Sequence, residues 1–135
     1  MKDPYVLVAS MAVACVMKFE QTPKRALQLR TELSNRSAIV SHSWRFEMLN
    51  FLATSLRTKH LLLAEATAYA NEIRHFTPYI ADEGDPAFIL ALCHEHSLSA
   101  YDASYLAIAL GGGWPIATLD KALIKAAQVT GVAVL

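Results

Sequence analysis

Asp102 and Asp120 are the residues through which this 135-residue chain could do chemistry. They sit in the stretch 98–121, LSAYDASYLAIALGGGWPIATLDK, which reads as a helix opening on an acid, a glycine break, a short strand and a second acid. Glu47 adds a carboxylate from a remote segment, within a turn or so of another helix start. Acids near the starts of different helices can converge on one edge of a sheet. Each could instead serve only its own helix dipole, and Asp102, in a Ser99-x-x-acid capping box, is the most open to that account. Brought close together, three carboxylates raise one another's pKa unless a cation lies between them. Oxygen ligands completed by water suit Mg²⁺ or Mn²⁺.

The elements that must position these acids alternate along the chain. Tyr5-Val6-Leu7-Val8 reads as a first strand buried on both faces. Ser10 is expected to cap a helix from Met11 to Phe19; Thr22 and Pro23 open the next, which Asn35 closes. Ala38-Ile39-Val40 is a second strand, after which Ser41 or Ser43 caps a long helix carrying Phe46, Leu49 and Leu52. A helix over 61–73 opens on Leu61-Leu62-Leu63, apolar right round the turn and a candidate partner surface. Pro78-Tyr79-Ile80 suggests an edge-like third strand, and Asp85 with Pro86 starts a helix ending near His96. Ser99 starts the helix running to Leu110, which Gly111 to Gly113 end. Ile116-Ala117-Thr118 is the fourth strand, Asp120 starts the last helix, and 132–135 can add a fifth strand. The alternation indicates one domain, an α/β/α three-layer sandwich over a mostly parallel sheet of four to five strands. Its sites belong at the carboxyl ends of the strands.

Composition narrows the partners. Hydrophobic residues make up 54% and charged residues 18%, more apolar surface than a small monomer hides comfortably, so a homodimer or protein partner is expected. Twelve Lys plus Arg balance twelve Asp plus Glu, which argues against a broad polyanion-binding surface but leaves room for a local basic rim. Arg45 and Lys121, beside Glu47 and Asp120, are the RNA-contact candidates, and Lys24, Arg25 and Arg30 form a rim or a solvated helix face. Cys15 and Cys93 each lie in an apolar run, as buried reduced cysteines of a cytoplasmic protein do. Lys2 and the run to Cys15 loosely imitate a lipidated signal peptide, but Asp3 neutralises the leader charge and cleavage would remove the first strand. The run is also too short to span a bilayer.

LSAYDASYLAIAL followed by ATLDKAL resembles, in sequence and spacing, the third and fourth acidic motifs of the PIN-domain ribonucleases, and within them the VapC-type toxins of bacterial toxin–antitoxin pairs. Glu47 followed by Asn50 on an apolar helix is similar to the second motif, and the resemblance extends over nearly the whole chain. It implies that Glu47, Asp102 and Asp120 bind Mg²⁺ or Mn²⁺ and carry RNA phosphodiester hydrolysis by metal-activated water, with Asn50 and Thr118 in support. It also implies a dimer inhibited by a cognate VapB-like antitoxin whose segment blocks the acidic cleft. The family's first motif, an Asp ending the first strand with Ser or Asn two residues later, is read here at Ala9 and Met11. Asp3 precedes the strand and lies at the wrong edge. With the fourth acid replaced by Ala9, the resemblance implies one weakly held ion at most and a rate lowered by orders of magnitude. An introduced Asp→Ala change would explain Ala9 alone, whereas natural divergence explains Met11 as well. The alternative function is a catalytically inactive PIN fold that acts by binding RNA or an antitoxin.

Other signals are weaker. In Cys93-His94-Glu95-His96 only Cys93 and His96 could share a helix face, so a zinc site is not expected. His42, His60 and His75 read as surface residues without acid partners. The three glycines lack the Lys-Ser/Thr of a phosphate loop, and 82–85 are too few for a calcium loop. A receiver-type phosphoacceptor would need an acid pair after the first strand and a Lys after the last, and neither is present.

Overall fold

A computed structural model describes residues 1–17 and 24–135. Four short apolar runs form one parallel sheet: β1 (Tyr5–Leu7), β2 (Ala38–Val40), β3 (Tyr79–Ile80) and β4 (Ile116–Ala117), ordered β3-β2-β1-β4. Tyr5 pairs with Ala38, Val6 with both Ile39 and Ile116, and Leu7 with Ala117. Strands β1, β2 and β4 are buried throughout, whereas Tyr79 and Ile80 are exposed, so β3 is the edge strand its sequence suggests. The expected fifth strand reduces to a single parallel bridge between Ile116 and Val134.

Helices α1 (Ala9–Val16), α2 (Lys24–Glu32), α3 (Trp44–Arg57) and α4 (Leu63–His75) connect β1 to β2 to β3. Because those crossovers step the same way along the sheet and are right-handed, all four cover one face, and α1 packs on α2 and α3 while α3 packs on α4. The connection from β3 to β4 steps back across the sheet, which puts α5 (Pro86–His96) and α6 (Ala100–Gly112) on the opposite face. There α6 packs on β1, β4, α5 and α7 (Lys121–Val129), completing the three-layer α/β/α sandwich. Helix α6 is the centre of that layer, buried continuously from Ala103 to Ala109. Val6, Met11, Met48, Leu106 and Ile116 are fully enclosed in the core, each worth about 1.5–3 kcal/mol of apolar burial.

Several boundaries differ from the sequence expectation. Helix α1 begins at Ala9, with Val8 in the cap position and no side-chain cap, so Ser10 lies inside the first turn. Helix α2 stops at Glu32, before Asn35, and the expected start at Thr22 and Pro23 falls outside the described residues. Ser43 precedes α3 but caps nothing with its hydroxyl, and α4 starts two residues late, at Leu63. Helix α6 runs through Gly111 and Gly112, and Gly113 alone, at φ +67°, makes the left-handed stop. The Trp114 ring lies against Gly112 where a Cβ would stand, so the missing side chain there serves packing.

Candidate functional site

Strand order reverses at β1, whose chain leaves toward one helical layer while that of β4 leaves toward the other, which opens a crevice at their carboxyl ends. Helix α6 runs back against β4, so its first turn, with Asp102, reaches the same edge. Ser99 caps α6 by accepting from the Asp102 backbone N–H, and Asp120 caps α7 by accepting from the Leu123 N–H at 2.8 Å. Thr118 is fully buried and its hydroxyl accepts the Asp120 N–H at 3.1 Å, which shapes the turn that presents Asp120.

The acids share an electrostatic environment. Burial raises the Asp102 carboxyl above its ordinary pKa; Asp120 and then Glu47 raise it further, and the Ser99 hydrogen bond opposes them. Asp120 and Glu47 thus lie near enough to Asp102 to act on its charge. They do not close around a point: among the described residues no group of three or more His, Cys, Asp or Glu side chains could hold a metal ion. The two observations agree, because charge repulsion acts over longer distances than coordination.

Two hydroxyls hold Glu47. Ser43 Oγ donates to Glu47 Oε2 at 2.7 Å and Tyr105 Oη donates to the same oxygen at 2.8 Å. Ser41 Oγ lies 3.1 Å from Ser43 Oγ, which adds a third hydroxyl to the cluster. Tyr105 is fully buried, which pushes its phenol far above the usual range; Glu47 adds to that rise, while hydrogen bonds to Ser41 and the Ala9 backbone pull the other way. The phenol thus bridges Glu47 to the start of α1. Ser43 stands one helical turn before Glu47 and Tyr105 three residues after Asp102, spacings that place each on its neighbour's helix face and were the available sequence signal.

The junction after β1 is Val8. It is 2% exposed, its carbonyl opens α1, and Ser10 follows two residues later, so Ala9, read as ending the strand, is already helical. Asn50, Arg45 and Lys121 are exposed and stand outside the hydroxyl network. Lys24, Arg25 and Arg30 are exposed on α2, remote from it in sequence. His42, expected without an acid partner, has one: its backbone N–H donates to Glu83 Oε1 at 2.7 Å and its Nδ1 lies 3.0 Å from both carboxylate oxygens, tying the loop after β3 to the end of β2. Both cysteines are half-buried free thiols; burial raises that of Cys15, with Arg30 opposing.

No family model and no curated protein matches the sequence. Solved structures do match its fold. PAE2754 from Pyrobaculum aerophilum superposes with a TM-score of 0.72 at 20% identity, covering 91% of this chain and 78% of its own. FitAcB from Neisseria gonorrhoeae gives 0.66 at 18% identity, covering 97% and 96%. FitAB bound to an IR36 DNA fragment gives 0.69 at 18% identity, covering 97% and 93%. The chain therefore has a PIN-like α/β/α fold over nearly its whole length. No helix among the described residues is long and apolar enough to cross a membrane.

Proposed function

We propose that this chain is the PIN-fold member of a toxin–antitoxin-type pair that uses its acidic edge to bind a basic segment of a VapB-like antitoxin and has lost most ribonuclease chemistry. The observation that carries this is Val8, which fills the strand-to-helix junction with a buried isopropyl group where the resembled family has an acid. Taking Val8 as the junction puts Ser10 at the family's Ser/Asn position. Divergence at a single motif residue then accounts for the departure, and an introduced Asp→Ala at position 9 is not needed. The loss of metal chemistry is supported by the absence of a three-ligand group of acids among the described residues, with one oxygen of Glu47 accepting two hydroxyls and one oxygen of Asp120 capping a helix. The carboxylates are instead spread along an edge, an arrangement suited to the several donors of Arg or Lys side chains. The likeness in fold to the FitAB complex supports a protein partner of this kind.

A second reading, a Mg²⁺- or Mn²⁺-dependent endoribonuclease, is favoured by the influence of Asp120 and Glu47 on Asp102. It assigns those acids to the metal, Asn50 and Thr118 to support, and Arg45 and Lys121 to the RNA backbone. Incubation of single-stranded RNA with the chain and with its Asp102→Asn form, in Mg²⁺ and in Mn²⁺, separates the readings. We expect equal, background cleavage by both, together with binding of an Arg-rich peptide that weakens at least tenfold in a Glu47→Gln/Asp102→Asn variant. Metal-dependent cleavage removed by Asp102→Asn would instead establish the enzyme.

A further inference from the structure

We infer that the cavity at the amino ends of β1, β2 and β3, the side of the sheet opposite the acids, binds a small aromatic carboxylic acid, its ring against Trp44 and Phe76 and its carboxylate held by Arg30 and Arg36. Tyr5, Ala38 and Tyr79, the first residues of those strands, border a space of about 460 Å³ between the sheet and the α1–α4 layer. That volume lies within the roughly 300–1,000 Å³ usual for small-molecule sites. The space reaches in to Leu7, Ala12 and Met48 of the core, so it has depth and is not a dent in the surface. Trp44 and Phe76, their ring centroids 5.6 Å apart at 40°, give it flat apolar walls that favour an aromatic body over a flexible chain. Trp44 also carries a buried indole N–H with no acceptor among the described residues. The rim supplies the charge. Arg36 Nε donates to the Asp3 carbonyl at 2.9 Å, and its guanidinium lies over the Tyr5 ring, 5.4 Å from the centroid. Tyr5 is in turn close enough to Cys15, and Cys15 to Arg30, for each pair to interact by charge, so both guanidiniums belong to one rim. Neither arginine is paired with an acid among the described residues. Each keeps N–H donors in a planar fork that suits a carboxylate. Tyr5, 4% exposed, adds a phenol with no hydrogen-bond partner among the described residues. Glu72 is the one acid among the described lining residues, against two permanent cations, so an anion is preferred to a cation. The Cys15 thiol donates to the Ala26 carbonyl at 3.5 Å and serves as wall.

Calorimetric titration of the full chain with naphthalene-1-acetate, beside its neutral amide, tests this directly. We expect a single site with a Kd on the order of 10–100 μM for the acid, as ligand efficiency allows for a molecule of this size. The amide should bind at least about tenfold more weakly, because a hydrogen bond to a charged group is stronger than one to a neutral group. Arg30→Gln/Arg36→Gln should lose at least about tenfold in affinity for the acid and little for the amide, a split that general loosening of the fold does not produce. If the double variant unfolds, Arg30→Gln, at an exposed position of α2, carries the same selective loss at about threefold or more. Val16→Phe, which fills the cavity from a half-buried position on α1, should abolish binding of both compounds. Equal affinity for acid and amide, acid binding that Arg30→Gln and Val16→Phe leave unchanged, or no binding at about 1 mM acid would each overturn the inference. None of these variants alters Glu47, Asp102 or Asp120, so the result is independent of the proposed function.

Discussion

Asp102 is held between a helix start that favours its charge and an acidic, half-buried edge that opposes it, and the opposition prevails: its pKa is raised. The unfolded chain titrates it near the ordinary 3.8, the folded chain at higher pH. Protonated Asp102 therefore favours folding below 3.8, and that contribution is lost as pH rises through the window up to the raised folded value. At neutral pH the charged carboxylate costs stability. Asp102→Asn is accordingly expected to raise the melting temperature by a few degrees at pH 7 and to lose most of that advantage near pH 3, measured by circular dichroism. A difference of equal size at both pH values would show that neither burial nor the neighbouring acids hold this carboxyl above its ordinary range. The acids themselves were legible in the sequence because each lies close to a helix start. Their hydroxyl partners were not, since Ser43 reads equally well as a cap and Tyr105 as an apolar core residue. The choice between Ala9 and the proposed Val8 for the missing acid is hard to make from sequence because Tyr5 to Ala9 has no charged residue to mark where strand gives way to helix.

Helix termini show which element boundaries the chain states openly. Asp85 with Pro86, Ser99 and Asp120 each carry a side chain that accepts from the first turn, or fits it, and all three starts were legible. The glycine run misled because only one of its three residues needs to be glycine for conformational reasons. Gly111 is helical with open space around its Cα, Gly112 lies under the Trp114 ring, and Gly113 has the positive φ. A sequence records the same letter for all three. Gly111→Ala is therefore expected to be neutral or to stabilise by about 0.5–1 kcal/mol, through helix propensity. Gly112→Ala would drive a Cβ into the Trp114 ring, so that ring must move, at a cost of about 1–3 kcal/mol. Urea denaturation of the pair checks this, and equal midpoints would show that the Trp114 contact carries no packing energy. The fifth strand is reduced in a different way: within 132–135 only Val134 pairs with the sheet, in a single bridge to Ile116.

At the scale of the whole molecule, three buried strands, β1, β2 and β4, and a continuous α6 core absorb much of the 54% hydrophobic content, yet a large apolar remainder stays outside. Leu61, the first of the three leucines proposed as a partner surface, is buried, whereas Leu62 and Leu63 are 72% and 71% exposed at the start of α4. Phe46, 75% exposed, together with Leu49 and Phe51, continues apolar exposure on α3, the helix that packs against α4. Phe46 precedes Glu47 on α3, so the exposed apolar residues begin on the same helical turn as this acid, on a different face. Exposed apolar side chains on packed neighbouring helices favour self-association, since each Å² removed from water is worth about 25 cal/mol before the cost of association. We expect the chain to sediment as a dimer at micromolar concentration, and Leu62→Lys/Leu63→Lys to sediment as a monomer with unchanged far-ultraviolet circular dichroism, because neither side chain supports the core. A monomeric parent chain would remove the homodimer from the account. A variant that still dimerises would move the contact to another exposed apolar face, the foremost being Phe88 and Leu90 on α5, where only Leu92 is buried. The two helices lie on opposite faces of the sheet, so the monomer–dimer outcome also decides whether the dimer leaves the apolar side of the acidic edge open to an antitoxin or covers it.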